Sequence, residues 1–425
     1  MAAAGWHILA CLGAKTIRDA IEAAPHRRKA DLEGEHAEQE VIGKTKQRRG
    51  NMPRQMLSLR RFPLMVIIAI LALVSVAPGR SAKAQEGRQV PVLAVDPYWP
   101  QLPENWILGV GAGIAIDADD HVWIIHRPGM VTEKKMCCKP APVVMEFDAS
   151  GKVLQGWSGA GNGYEWPILN DEHGIFVDHK TNVWIAGRGA NGNTENQILK
   201  FDHHGKFLLQ IGRRGKGTGS NDTANLGQPA DMASYAGTNE IFVADGYGNR
   251  RVIVFDADTG MYKRHWGAYG NKPDDAAPKT PVHDGPGDPQ FNQVHHLRIS
   301  TDGLVYVADR LNRRIQVFRI DGAFVKEAFV RRDSKETGGT VSSFAFSADP
   351  RQQFLYVADQ SENQILILDR QTLQELASVG RVGRYAGQFV SPHNIATDSK
   401  GNLYVAEDLG GQRVQKFVFK GLRPR

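Results

Sequence analysis

From Val90 to Phe419 the chain is a succession of short apolar runs separated by turns rich in Asp, Gly and Asn. Runs of about five residues rich in β-branched and aromatic side chains suit a pleated, half-buried sheet, so they predict strands. One stretch shows the pattern in full: Leu297–Ser300, a turn at Thr301-Asp302-Gly303, then Leu304–Ala308, Arg314–Phe318 and Phe324–Phe329. Asp-Gly favours the tight turn that joins antiparallel neighbours, so this stretch predicts a four-stranded antiparallel sheet.

The same unit recurs. His121–His126, Asn182–Gly187, Glu240–Asp245, Leu304–Asp309, Phe354–Asp359 and Asn402–Glu407 share one pattern, with an aromatic at a fixed place: Trp123, Trp184, Phe242, Tyr306, Tyr356 and Tyr404. A repeat of roughly 50–60 residues fits one propeller blade. The expected fold is therefore all-β, a six-bladed β-propeller. The last repeat ends after Val414–Phe419 without an outer strand, and Val90–Val95 can supply it, closing the ring and removing two exposed edges.

Ahead of the repeats, Arg54, Arg60 and Arg61 precede an apolar run from Phe62 to Ala77, and Ser81-Ala82-Lys83-Ala84 offers a small-x-small cleavage pattern. The run is short for a span, which takes about 20 residues. The expected organisation is a leader with signal peptide over 1–84, cleaved after Ala84, and a propeller over 85–425; the protein is expected to be exported, to the periplasm or outside the cell, with no membrane association after cleavage. Met52 or Met56 is an expected alternative start.

The charge follows the same division. The formal charge is +6, but residues 1–84 hold 14 Lys/Arg against 7 Asp/Glu, which leaves the remainder at −1. A nearly neutral body carries no electrostatic footprint for nucleic acid, and a monomer is expected. Only Cys137 and Cys138 lie beyond the leader. Neighbouring cysteines close only a strained ring, so they read as two incidental loop residues, with a soft-metal or redox pair as the alternative.

Aligning the position two before each inner-strand hydrophobe gives Ala112, His173, Ala230, His295, Ser342 and His393. Histidine falls in repeats two, four and six, alternate blades related by about 120°, so three imidazoles should converge on one channel mouth. Three neutral imidazoles with an open fourth position suit catalytic zinc. His296 should point away; His126, His179, His203, His204, His265 and His283 fall at other registers and are expected in surface or loop positions. Arg127, Tyr247, Asn249 and Arg310 follow second strands, whose ends return to the same mouth. Arg offers a fork for a carboxylate, and Tyr beside a cation can serve as a base.

Asn249-Arg-Arg-Val-Ile-Val-Phe and Asn312-Arg-Arg-Ile-Gln-Val-Phe resemble NHL-repeat propellers. Glu172-His173-Gly-Ile-Phe-Val-Asp178, Val243-Ala-Asp-Gly-Tyr247-Gly-Asn249, Phe291 through His295, Val307-Ala-Asp-Arg310 and Pro392-His393-Asn-Ile are similar, in order, to the core of peptidyl-α-hydroxyglycine α-amidating lyase, over about Trp106–Phe419. That resemblance implies zinc on His173, His295 and His393, Tyr247 as base, and Arg127 and Arg310 holding the carboxylate of a small-molecule or peptide substrate. The family's calcium-binding Asp after the last His is Asn394 here, which leaves a calcium site open, and the animal enzymes' disulfides near the Tyr and Arg loops have no counterpart. The rival readings are a non-catalytic propeller that binds a protein or peptide, and a metal-dependent lactonase.

Overall fold

A computed structural model of the chain describes residues 89–131, 137–159, 161, 163–168, 170–189, 194–278 and 285–425. The expected leader, its apolar run over 62–77 and the cleavage point after Ala84 lie outside the described residues, as does His283.

Six four-stranded antiparallel sheets form the blades. Their inner strands are Val110–Ile116, Glu172–Val177, Asp231–Tyr235, Val294–Ile299, Ser343–Phe346 and Pro392–Thr397, and their second strands are Val122–Arg127, Val183–Gly187, Glu240–Asp245, Leu304–Asp309, Phe354–Asp359 and Leu403–Glu407. The fourth inner strand starts at Val294, three residues before the apolar run that marks it in the sequence, because His295 and His296, which follow Val294, are polar yet buried. In the last blade Gln89–Asp96 pairs antiparallel with Arg413–Pro424, with Gln89 opposite Pro424.

Burial explains the fixed aromatic. Among the described residues the apolar interior divides into six clusters, one between each pair of neighbouring blades. Trp123, Trp184, Phe242, Tyr306, Tyr356 and Tyr404 each enter the cluster shared with the following blade. A buried indole or phenol needs a partner for its polar tip. Asp117 Oδ2 accepts from Trp123 Nε1 at 2.9 Å, Asp178 Oδ2 from Trp184 Nε1 at 2.9 Å, and Asp398 Oδ2 from the Tyr404 hydroxyl at 3.0 Å. The Asp at the first turn thus anchors the wedge that packs the blades together.

Blade ends are tied by charge. The buried pairs Asp245–Arg251 and Asp309–Arg314, both at 2.8 Å, link the end of the second strand to the start of the third. Cys137 and Cys138 are bonded to each other, which corrects the expectation of two incidental cysteines.

Candidate metal and substrate site

His173, His295 and His393 occupy the second position of alternate inner strands, and at each the sheet register slips. Glu172 faces Gly187 and Gly174 faces Ala186, so His173 has no opposite residue; His295 and His393 are skipped in the same way. A bulge of this kind turns one side chain out of the regular alternation, here into the channel. The three rings stand 4.8, 4.9 and 5.0 Å apart between centroids, all edge to face. Their ligand atoms lie within 4.8 Å of one another.

Backbone contacts fix the tautomers. Nδ1 of His173 lies 2.7 Å from Ala230 O, Nδ1 of His295 lies 2.6 Å from Ser342 O, and Nδ1 of His393 lies 2.8 Å from Ala112 O. A carbonyl only accepts, so each Nδ1 carries the proton and each Nε2 presents a lone pair. The acceptors are the repeat-register residues of the three blades that have no histidine. Gly174 makes one approach possible, since a Cβ there would stand 2.5 Å from Ala230 O.

Two of the three Nε2 atoms therefore share one donor. The Tyr247 hydroxyl is 2.9 Å from His173 Nε2 and 3.0 Å from His295 Nε2, and it has a single proton to give. His393 Nε2 is buried and has no hydrogen-bond partner among the described residues. Burial pushes all three imidazoles below their ordinary range, His393 down to about 4, and the neighbouring positive groups act in the same direction. Buried, neutral and oriented by their outer nitrogens, these histidines fit a divalent ion of the zinc type.

A second ring surrounds them. The residues four beyond the fixed aromatics, at the ends of the second strands, are Arg127, Arg188, Gly246, Arg310, Gln360 and Asp408. Gly246 has no room for a side chain, because a Cβ would stand 2.1 Å from Val294 O, and blade three offers Tyr247 one residue later. Arg127 is fully buried: Nε donates to Glu172 O at 2.9 Å, Nη1 pairs with Asp408 Oδ1 at 2.8 Å, and Nη2 has no partner among the described residues. Arg310 donates to Gly338 O and Gln360 Oε1. Burial works to raise the Asp408 carboxyl, but the positive field of His393, when protonated, Arg127 and Arg188 holds it below its ordinary value. Burial raises Glu172 to about 7, against the pull of Arg127.

The sequence-expected residues are thus grouped as follows. The three histidines and Tyr247 are in contact, with Arg127 and Arg310 on the same mouth. Asn249 turns inward to bond Asp245 Oδ2 at 2.7 Å. Asn394 is buried with Oδ1 unpartnered. His296 points away from the cluster, its Nε2 3.2 Å from Asp231 Oδ2. Arg188, Asp408, Gln360 and Glu172 were missed, although aligning the residue after each second strand would have found the first three. The opposite mouth carries a separate cavity of about 390 Å³, lined by Ile116, Phe176, Ile299 and Phe346 among others, without the convergent histidines.

His126 is a correction: it is buried, not at the surface. Its Nδ1 accepts from Gly109 N at 3.0 Å and its Nε2 donates to Pro142 O at 2.8 Å, and burial lowers it to about 4. The unfolded chain takes up this proton near 6.5, so the stabilising contribution is complete above that pH and is lost as pH falls through about 4. The shift corresponds to about 3 kcal/mol. In the metal-free protein, the gap in thermal midpoint between wild type and His126→Gln should be constant above pH 7 and shrink from pH 6.5 to 4; a constant gap throughout would mean that His126 is not held neutral.

A family model described as "Lactonase, 7-bladed beta-propeller" matches residues 249–386, about a third of the chain. Human NHL repeat-containing protein 3 is 27% identical over 339 residues, covering 76% of this chain and 83% of its own. Rat peptidylglycine alpha-amidating monooxygenase is 30% identical over 320 residues, covering 70% of this chain and 29% of its own. A Caenorhabditis elegans protein named as a probable peptidyl-alpha-hydroxyglycine alpha-amidating lyase is 25% identical over 315 residues, covering 71% of this chain and 80% of its own. The chain is a six-bladed propeller of NHL type that resembles the amidating lyase.

Proposed function

We propose that the protein is a zinc-dependent lyase that cleaves the C–N bond of an N-acyl- or peptidyl-α-hydroxyglycine, giving an amide and glyoxylate. The observation that carries this reading is the set of three converging buried Nε2 atoms, two of which share the Tyr247 hydroxyl while that of His393 has no partner among the described residues. A zinc ion held by His173, His295 and His393 would supply Lewis acidity toward a substrate oxygen. Tyr247 is placed to accept the proton of the substrate hydroxyl. As that oxygen becomes the aldehyde oxygen of glyoxylate, the C–N pair stays with nitrogen, which gains a proton and leaves as the amide. The unpartnered Nη2 of Arg127 and the partly buried Arg310 can bind the substrate carboxylate.

Two rivals have a specific point in their favour. The chain matches most of NHL repeat-containing protein 3, which fits a non-catalytic binding propeller. The lactonase match spans only His295 of the three histidines and is the weaker of the two. Glyoxylate release from a synthetic N-acyl-α-hydroxyglycine by zinc-loaded protein decides between lyase and binding module. No release above the uncatalysed rate across several acyl groups would retire the lyase reading.

A further inference from the structure

Blade one departs from its sisters around the first turn. In blades two and six an Asn stands two residues before the wedge aromatic and donates Nδ2 to the anchoring Asp: Asn182 to Asp178 Oδ1 at 3.0 Å, Asn402 to Asp398 Oδ2 at 2.7 Å. Opposite the aromatic in the ladder stands a lysine, Lys200 facing Trp184 and Lys416 facing Tyr404, with Nζ 5.1 and 5.5 Å from the ring centroid. Blade one has His121 in place of the Asn, and Glu146 faces Trp123 in place of the lysine. Where two sister blades keep a cation, blade one brings a second carboxylate beside Asp117.

No basic residue answers these two acids. The side chains of Asp117 and Glu146 are 4% and 2% exposed, and among the described residues their ion-pair partners are histidines, never Lys or Arg. Oδ1 of Asp117 accepts from the backbone N–H of His121 at 2.9 Å and of Asp119 at 3.0 Å. Oε1 of Glu146 accepts from His121 Nδ1 at 2.8 Å and Oε2 from Gln155 Nε2 at 2.6 Å, while His203 Nε2, from blade two, stands 3.4 Å from Oε2. Hydrogen bonds hold both carboxylates in place, but burying two of them side by side is unfavourable without a cation to offset their charge.

The inward atoms converge. Asp117 Oδ2, His121 Nδ1 and Glu146 Oε1 lie within 4.8 Å of one another, His121 Nδ1 being 2.8 Å from the Glu oxygen and 3.6 Å from the Asp oxygen. Ligand atoms about 2.0–2.2 Å from a tetrahedral zinc stand roughly 3.3–3.6 Å apart, so small side-chain adjustments suffice. His121 is 30% exposed, which leaves a way in from solvent. Gln155 and His203 hold the outer oxygen of Glu146, the kind of support that a ligating carboxylate usually has.

We propose that Asp117, His121 and Glu146 form a second metal site, for a divalent transition cation of the zinc type, on the face opposite the three-histidine cluster. The ion matches the two carboxylates in charge and takes the Nδ1 lone pair of a neutral His121, whose proton then sits on Nε2. Water completes the coordination. The cation supplies at blade one the positive charge that Lys200 and Lys416 supply at blades two and six.

Calorimetric titration of the full-length, chelator-stripped protein with zinc should show about two equivalents, one for the channel histidines and one for this site. The double change His121→Asn, Glu146→Lys writes the pattern of blade six into blade one. It should remove one equivalent and leave the zinc-free thermal midpoint at or above that of wild type. If that variant is unstable, His121→Gln alone should weaken the same equivalent at least tenfold, since even an outer partner is typically worth about 10–100-fold. His393→Ala should lose the other equivalent. A single equivalent that disappears with His393→Ala and ignores His121→Gln would overturn the second site, as would a second equivalent indifferent to both changes in blade one, or no zinc binding at all. Failure of the channel site reads differently, as a single equivalent that survives His393→Ala and is weakened by His121→Gln.

Discussion

Tyr247→Phe is expected to keep the metal and the fold while lowering turnover of an N-acyl-α-hydroxyglycine by about 10²–10⁴-fold, the usual worth of a positioned base. The substitution removes one oxygen, the atom that lies 2.9 and 3.0 Å from two of the three Nε2 positions. Because Gly246 allows no side chain, no neighbour in blade three can take over the task. The rate loss should fall on kcat and kcat/KM together, since the proton moves only in the reacting complex. The measurement is glyoxylate release with zinc content determined on the same sample. A variant that turns over as fast as wild type with full zinc would remove Tyr247 from the chemistry.

The second large effect belongs to the histidines. His393→Ala should reduce zinc affinity by more than the 10–100-fold typical of losing an outer partner, and turnover should fall with occupancy. His173→Ala and His295→Ala should behave alike, because the three rings are equivalent by the repeat. The partners behind them, Ala230 O, Ser342 O and Ala112 O, are backbone groups, so changing those side chains leaves the acceptors in place. His296→Ala is the control: its ring packs against Phe344 at 4.9 Å and lies off the cluster. It should cost stability and spare the metal. Equal zinc loss from His296→Ala would mean that the wrong member of the pair had been assigned to the channel.

Much of this architecture is written in the repeat. The aromatic of each second strand marks a blade because every gap between blades needs one large wedge, and evenly spaced wedges are easy to see in a sequence. The histidine register follows from the same alignment. The bulges at His173, His295 and His393 were not visible, since a one-residue slip leaves no mark on hydrophobic alternation. His126 was misread because its burial depends on Gly109 and Pro142, which lie outside the strand and carry no pattern. Arg188 was passed over because an arginine after a second strand suits an ordinary turn as well as a site. Its Nε, unpartnered among the described residues, appears only once the surrounding groups are in position.

The pairing of Gln89–Asp96 with Arg413–Pro424 also sets an order in time. Among the described strands, the first to leave the ribosome is completed by the last. Five blades can each close on consecutive chain, but the sixth waits until Arg413–Pro424 has been synthesised. Until then Gln89–Asp96 presents an unpaired edge, and the gap between blades six and one lacks part of its wedge, Tyr404 included. Nascent chains stalled before Arg413 should accordingly be the species most exposed to edge-to-edge association.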